Sequence, residues 1–256
     1  MKIFVCIKSV PDTAATIKLS GESSFEDSDC KFVINPYDEY GIEEAVTLVE
    51  KNGGEVVVIT AGRASADGAL RSAMAIGANR AIHVKTEEQF LDSSFTAKVL
   101  KAAIERDGMP DIIFTGKNSV DTEGFQTPYR LAAELGFPVV NEISKLKING
   151  DKAVAEREIG GGDREVLEIS LPAVIGVTKG LNEPRYPKFP DIMKAKKKPV
   201  NLITISDLGI DELFSKSRLV KLESAPERSG AKMIQGSVEA QVKELIRILK
   251  EDEKVL

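Results

Sequence analysis

The chain has 256 residues, 42% of them hydrophobic and 29% charged, with a net charge of −5. That balance is ordinary for a globular protein and excludes a disordered chain; it also argues against a general nucleic-acid binder, which needs a positive field to attract phosphates. The two cysteines, Cys6 and Cys30, show no CxxC spacing, so neither a disulfide framework nor a redox dithiol is expected, and a reducing compartment, the cytoplasm, is.

The opening run MKIFVCIKSV is too short for a signal-peptide core and lacks a small-residue cleavage site, so Lys2–Ile7 is expected to be a buried strand. No stretch approaches the roughly 18–20 apolar residues that span a bilayer. Residues 36–52 predict a helix: Ile42, Ala45, Val46 and Val49 repeat at helical spacing, Pro36 suits the first helical position and Gly53-Gly54 the stop. A strand over 55–62, an Ala-rich helix over 65–78 and a strand over 80–84 follow. Next come an amphipathic helix over 92–107, a strand over 112–116 and a helix over 127–135 that ends at Gly136. Apolar strands joined by helices imply a parallel sheet covered on both faces, a doubly wound, mostly parallel α/β fold whose ligands lie outside the carboxyl ends of the strands.

The pattern changes after residue 140. Asn149-Gly150-Asp151 between 143–148 and 152–158 signals a β-hairpin. Strands over 165–170 and 173–178 and a Pro- and charge-rich loop over 179–190 come next, and beyond Pro199 an arm closes with an amphipathic helix over 238–250. The expected organisation is a nucleotide-binding α/β domain over 1–199 and a C-terminal arm over 200–256.

Catalytic side chains are scarce. His83 is the one histidine and sits inside a strand pattern, so a structural role is favoured over a metal or triad role. Cys6, also within a strand, reads as a small buried residue rather than a nucleophile. Neither GxGxxG nor GxxxxGK[ST] occurs, and Gly160–Gly162 lacks the strand-to-helix context of a phosphate loop. The segment 116–127, GKNSVDTEGFQT, does have that context. Thr127 can cap the following helix, with Pro128 at its first position, and exposed N–H groups there favour an anion. Gly124 permits close backbone approach, and Gln126 and Thr127 can donate to phosphate. Asp121 and Glu123 can hold a ribose hydroxyl or face solvent. At a second strand end, Asn35 before Pro36 can read a base or ribose edge or can simply cap its helix. With Ala61-Gly62 as a third polar or small strand end, the pattern suggests an adenine-nucleotide crevice. The lysine-rich run 193–199 reads as a solvated helix end or linker, with docking or a membrane surface the lesser reading.

LNEPRYPKFPDIMKAKKKP, residues 181–199, resembles the recognition loop of electron transfer flavoprotein beta subunits. VCIKSVPDT, INPYDEYGIEEA, ALRSAMAIGANRAIHV, AEREIGGG and LEISLPAVIGVT agree with the same family, in order and spacing, over most of residues 1–210. The resemblance implies the family's adenine-nucleotide-hydrolase-like fold and a heterodimer whose alpha subunit holds most of an FAD while the beta subunit covers it, with the C-terminal arm over 200–256 packing on the alpha subunit. The beta subunit would bind a structural AMP rather than act as an enzyme. By matching position, the nucleotide would contact Cys6, Asn35, Pro36, Tyr37, Asp38 and Ala61. It would also contact the run from Gly116 through Lys117, Asn118, Ser119, Val120, Asp121, Thr122, Glu123, Gly124, Phe125 and Gln126 to Thr127. The recognition loop, about 177–199, would dock acyl-CoA dehydrogenases or related flavoenzymes. Its apolar anchor would be Phe189, where the family often has Leu, among Leu181, Asn182, Glu183, Pro184, Arg185, Tyr186, Ile192, Met193, Lys194 and Lys197. A quinone-linked oxidoreductase would accept the electrons, and Glu158 would lie near the subunit junction. Two departures stand out: DTEGFQTP at 121–128 where AMP-binding members often read DDDCNQTG, and NPYD at 35–38 where they often read NPFC. NPYD and VPDT resemble electron-bifurcating members, whose beta subunit binds a second FAD and NADH; the loop resembles the AMP type, and AMP is the expectation. A stand-alone nucleotide-binding module is the other class left open.

Overall fold

The central strands have no polar face. Every residue of β6 (Ile112–Gly116) and β10 (Ala173–Val177) is buried, as are four of five in β1 (Lys2–Cys6). The computed structural model describes all residues except 29, 211–214, 225–229 and 232. It divides into two units, Met1–Leu222 and Glu223–Leu256.

In the first unit, chain order runs β1, β2 (Ser9–Pro11), β3 (Phe32–Ile34), α1 (Pro36–Asn52), β4 (Glu55–Gly62), α2 (Ala66–Ile76), β5 (Arg80–Lys85), α3 (Ser93–Asp107), β6 and α4 (Thr127–Leu135). It continues with β7 (Val139–Asn149), β8 (Lys152–Gly160), β9 (Asp163–Ser170), β10, α5 (Phe189–Ala195) and β11 (Val200–Thr204). Among the described residues one sheet has nine strands in the order β11-β5-β4-β1-β6-β10-β7-β8-β9. The pairings from β11 to β7 are all parallel, and β7-β8 and β8-β9 are antiparallel. The expected doubly wound sheet with an added hairpin is therefore present.

Side chains alternate across this sheet. Ile3 and Val5 pack with α1 and α2 through Ile42, Val46 and Leu70, whereas Phe4 and Cys6 pack with α3 and α4 through Phe95, Val99 and Leu131. After β1 the chain builds outward through β4 and β5, then crosses to β6 on the other side of β1. The flanking loops part at that reversal, which is where doubly wound sheets open a crevice.

Three features depart from the expected pattern. The pair β2-β3 forms a separate antiparallel ribbon, and β11 lies at the sheet edge, paired with β5. The expected loop over 179–190 leads into the short helix α5, which begins at Phe189. In the second unit, α6 (Val238–Arg247) matches the expected terminal helix and widens into a π-helical turn over Ile248–Asp252. No helix among the described residues is long and apolar enough to cross a membrane.

Gly77, just past α2, sits at φ 155°, and a Cβ there would meet Val46 Cγ1 at 2.7 Å. Gly77→Ala is expected to cost about 1–3 kcal/mol. Gly68→Ala, on an open face of α2, is expected to raise stability by about 0.5–1 kcal/mol. Urea unfolding followed by circular dichroism checks both signs; a Gly77→Ala midpoint equal to wild type would contradict this packing.

Candidate functional site: a polar crevice at the strand switch point

The ends of β1, β4 and β6 surround a cavity of ≈ 490 Å³, within the range of small-molecule sites. Its floor is fastened by two buried side chains from the start of α1. Asn35 Nδ2 donates to Asp38 Oδ1 at 2.8 Å and to the Asn118 carbonyl at 2.8 Å, and its Oδ1 accepts from Val120 N–H at 3.1 Å. Asp38 also accepts from the backbone N–H of Lys8 at 2.7 Å and of Gly116 at 2.9 Å. One pair of residues thus ties the end of β1, the end of β6 and the loop after it. Of the two roles open to Asn35, the side-chain cap is not taken: the side chain makes no cap hydrogen bond and is used on the facing loop instead. Gly116 is held by the same node: a Cβ there would run into Asp38 and come within 2.8 Å of Tyr37 Cβ.

Burial lifts the Asp38 carboxyl from 3.8 to about 7, against the pull of Asn35, the two backbone donors and the Lys8 charge. Burial, with the Asp38 charge beside it, pushes the Cys6 thiol up. Cys6 is a wall of the crevice, not a nucleophile. His83 is buried in β5 with Nε2 3.0 Å from the Gly62 carbonyl oxygen, a structural position.

Of the sequence-predicted nucleotide contacts, Cys6, Asn35, Asp38, Ala61, Asn118, Ser119, Asp121, Thr122, Gly124, Phe125, Gln126 and Thr127 line the cavity. Pro36, Tyr37, Gly116, Lys117, Val120 and Glu123 stand outside its lining. Pro36 starts α1. Lys117 turns away to Glu142 at 3.2 Å and lies over the rings of Tyr37 and Phe125. Asp121, open by sequence between a ribose hydroxyl and solvent, is paired with Lys8 Nζ at 2.7 Å. Glu123 and Phe125 hold left-handed backbone at φ 47° and 57° on either side of Gly124, a conformation that costs non-glycine residues about 1–3 kcal/mol each. The expected cap at Thr127 is also corrected. Gln126 occupies the cap position, no side chain closes it, and α4 begins at Thr127.

Three buried polar atoms on cavity residues, Ser9 Oγ, Thr115 Oγ1 and Asn118 Oδ1, have no hydrogen-bond partner among the described residues. Buried polar atoms are normally paired, which sets these three apart from the other polar atoms of the lining residues. Ser9 and Thr115 were not picked out by sequence, nor were Lys8, Arg63 and Gln89, which also line the cavity. Lys8 and Arg63 lie one or two positions past the ends of apolar runs, where a ligand-facing residue of a parallel sheet belongs; Gln89 carries no such signal.

The segment expected to dock partners is fixed to the domain at both ends. Arg185 bridges Glu43 at 3.0 Å and Glu50 at 2.7 Å, and Asn182 donates to the Tyr40 carbonyl at 3.1 Å and to Glu44 at 3.0 Å, while Leu181 packs on the core. Past α5, Arg71 donates to the carbonyls of Ala195 at 3.1 Å and Lys198 at 2.8 Å. Between these clamps Tyr186 is 95% and Phe189 74% exposed, with Ile192, Met193, Lys194 and Lys197 also at the surface. Glu183 is exposed and Pro184 half-buried. Glu158 is exposed and pairs with Arg164 at 3.6 Å within the hairpin.

Sheet and crevice together define a doubly wound α/β protein with a polar pocket at its switch point. The electron transfer flavoprotein domain family matches residues 24–208. The chain is 36% identical to the electron transfer flavoprotein subunit beta of Bacillus subtilis, with all of both chains covered. It is 38% identical to that subunit of Syntrophomonas wolfei, covering 95% of this chain and 99% of the relative. With the human subunit it shares 36% identity over 97% of this chain and 99% of the relative. The chain belongs to the electron transfer flavoprotein beta subunit family.

A carboxyl raised in the folded state binds more protons folded than unfolded, so its contribution to stability is present at low pH and is lost as pH rises through the folded value. The stability of wild type relative to Asp38→Asn is therefore expected to fall between pH 4 and about 7, and then level off. Parallel urea titrations across that range check it; a difference independent of pH would contradict the burial cost assigned to Asp38.

Proposed function

We propose that this chain is the beta subunit of a cytoplasmic heterodimeric electron carrier, with AMP in the switch-point crevice and the recognition loop as its docking surface. The carrying observation is the set of unpartnered polar atoms, Ser9 Oγ, Thr115 Oγ1 and Asn118 Oδ1, on residues of one cavity. Two hydroxyls can donate to or accept from a nucleotide, and an amide oxygen can accept from an amine or a hydroxyl. The N-terminus of α4 offers open backbone donors to an anion. These residues fit a nucleotide, and AMP here is structural rather than reactive.

In this reading the larger alpha subunit holds most of an FAD, and this chain closes one wall of the flavin site. FAD, when bound, supplies the electron-accepting and electron-donating chemistry. This chain's own residues position and recognise. Arg185, Asn182 and Arg71 brace the loop, and Phe189 and Tyr186 present apolar surface to acyl-CoA dehydrogenases or related flavoenzymes. An anchor of this size ringed by charge suits a small, transient contact, as a carrier that must also meet a quinone-linked oxidoreductase requires. The NPYD sequence at 35–38 supports a second reading, a bifurcating subunit with a second FAD and NADH in place of AMP.

Co-expression with the alpha subunit, denaturation of the purified complex and quantification of released cofactors test the proposal. One FAD and one AMP per heterodimer are expected; two FAD and no AMP would favour bifurcation, and no flavin-containing heterodimer would refute both. Thr115→Val is expected to leave stability unchanged or raised, because it removes an unpaired buried hydroxyl, while weakening AMP about threefold to tenfold. Calorimetric titration and thermal melts of the heterodimer separate the two effects, and unchanged AMP affinity would contradict a Thr115 contact.

A further inference from the structure

We propose that the segment 215–219 forms a fourth wall of the crevice and that Arg218 contacts the phosphate of the bound adenine nucleotide. The inference rests on the nucleotide reading of this cavity. Ser217, Arg218 and Leu219 line it although they lie about ninety residues beyond the loop that forms its β6 side.

Two fastenings hold the segment there. Ser217 Oγ donates to Asp92 Oδ2, and Asp92 also caps α3 by accepting from Ser94 N–H at 2.9 Å and Phe95 N–H at 3.0 Å through Oδ1. On the other side, Leu222 N–H donates to the Glu22 carbonyl at 2.7 Å. The residue after Asp92 fixes where this wall stands: Ser93 Oγ donates to Gln126 Oε1 at 3.3 Å, and Gln126 is the cap position of α4. A short chain of contacts, Ser217 to Asp92, then Ser93 to Gln126, thus links the segment that carries Arg218 to the N-terminus of α4.

Charge points the same way. The other cations of the lining are occupied, Lys8 by Asp121 and Arg63 by Asp27. Arg218 has neither an ion pair nor a hydrogen bond among the described residues. A guanidinium on the lining of a cavity that also holds the uncapped N-terminus of α4 is suited to a phosphate, which its planar fork can engage through two N–H groups at once. The open helix terminus and the free guanidinium are independent features, and one phosphate satisfies both.

The heterodimer, stripped of nucleotide, is titrated with AMP and with adenosine. Arg218→Gln is expected to weaken AMP about tenfold or more while leaving adenosine unchanged, with Arg218→Lys in between. Unchanged AMP affinity in Arg218→Gln, or equal losses for AMP and adenosine, would overturn the phosphate contact while the crevice reading stands. If wild type binds neither compound, the crevice reading fails and this inference with it. Arg218 is exposed, so these variants keep the packed core. Trypsin supplies an independent measure on wild type: AMP is expected to slow cleavage after Arg218 and adenosine to leave it unchanged, and equal cleavage rates with both would count against the contact.

Discussion

The Asp38 carboxylate is the point on which the crevice depends. Its oxygens accept from the end of β1, the end of β6 and Asn35, and Asn35 in turn holds the loop that starts at Asn118. Few other groups can do this from one position: a carboxylate accepts several donors at once, whereas an amide must point donors of its own at the N–H groups it faces. Burying such a group is costly, and the cost appears as a carboxyl pushed up to about 7. The same node excludes any side chain at position 116, because the backbone there passes directly over Asp38 and Tyr37.

That arrangement separates polar groups that build the pocket from polar groups left unpaired in it. Asn35, Asp38, Asp121 and Lys8 are consumed by one another or by backbone. Ser9, Thr115 and Asn118 each keep one buried atom unpaired. Residues that match a family's binding motif therefore do two jobs in this chain. The start of α1 is mainly framework, and β2, the end of β6 and the loop after it carry the unpaired atoms. Glu123 and Phe125 hold left-handed backbone in the loop beside the cavity, where surrounding structure sustains local strain.

Much of the fold was legible because its elements are long and its strands wholly apolar: α1 matches its expected bounds of 36–52, and α4 those of 127–135. The Asn-Gly turn announced the hairpin. What escaped has a physical reason in each case. β2 and β3 have three residues each, too few for a period to show. β11 leaves Leu202 60% exposed, so its apolar pattern is broken at the sheet edge. Within the site, strand ends and small residues indicated where the crevice lies. The pairing of Lys8 with Asp121, and of Asn35 with a loop 83 positions away, depends on tertiary contact that no local spacing encodes. The caps open to Asn35 and Thr127 are not made, each for its own reason. The Asn35 side chain is claimed by a distant loop, and Thr127 is itself the first residue of α4.

The two clamps on the segment 181–199 have a thermodynamic consequence for the docking role proposed for it. Arg185 on Glu43 and Glu50, and Arg71 on the carbonyls past α5, leave Phe189 and Tyr186 exposed on a segment that is already folded. A partner that meets this loop has no chain to order, so association loses little conformational entropy. Its heat-capacity change then reflects only the modest apolar area covered, far below the value that accompanies folding on binding. Under the proposed docking role, no refolding barrier would stand on either side of the encounter.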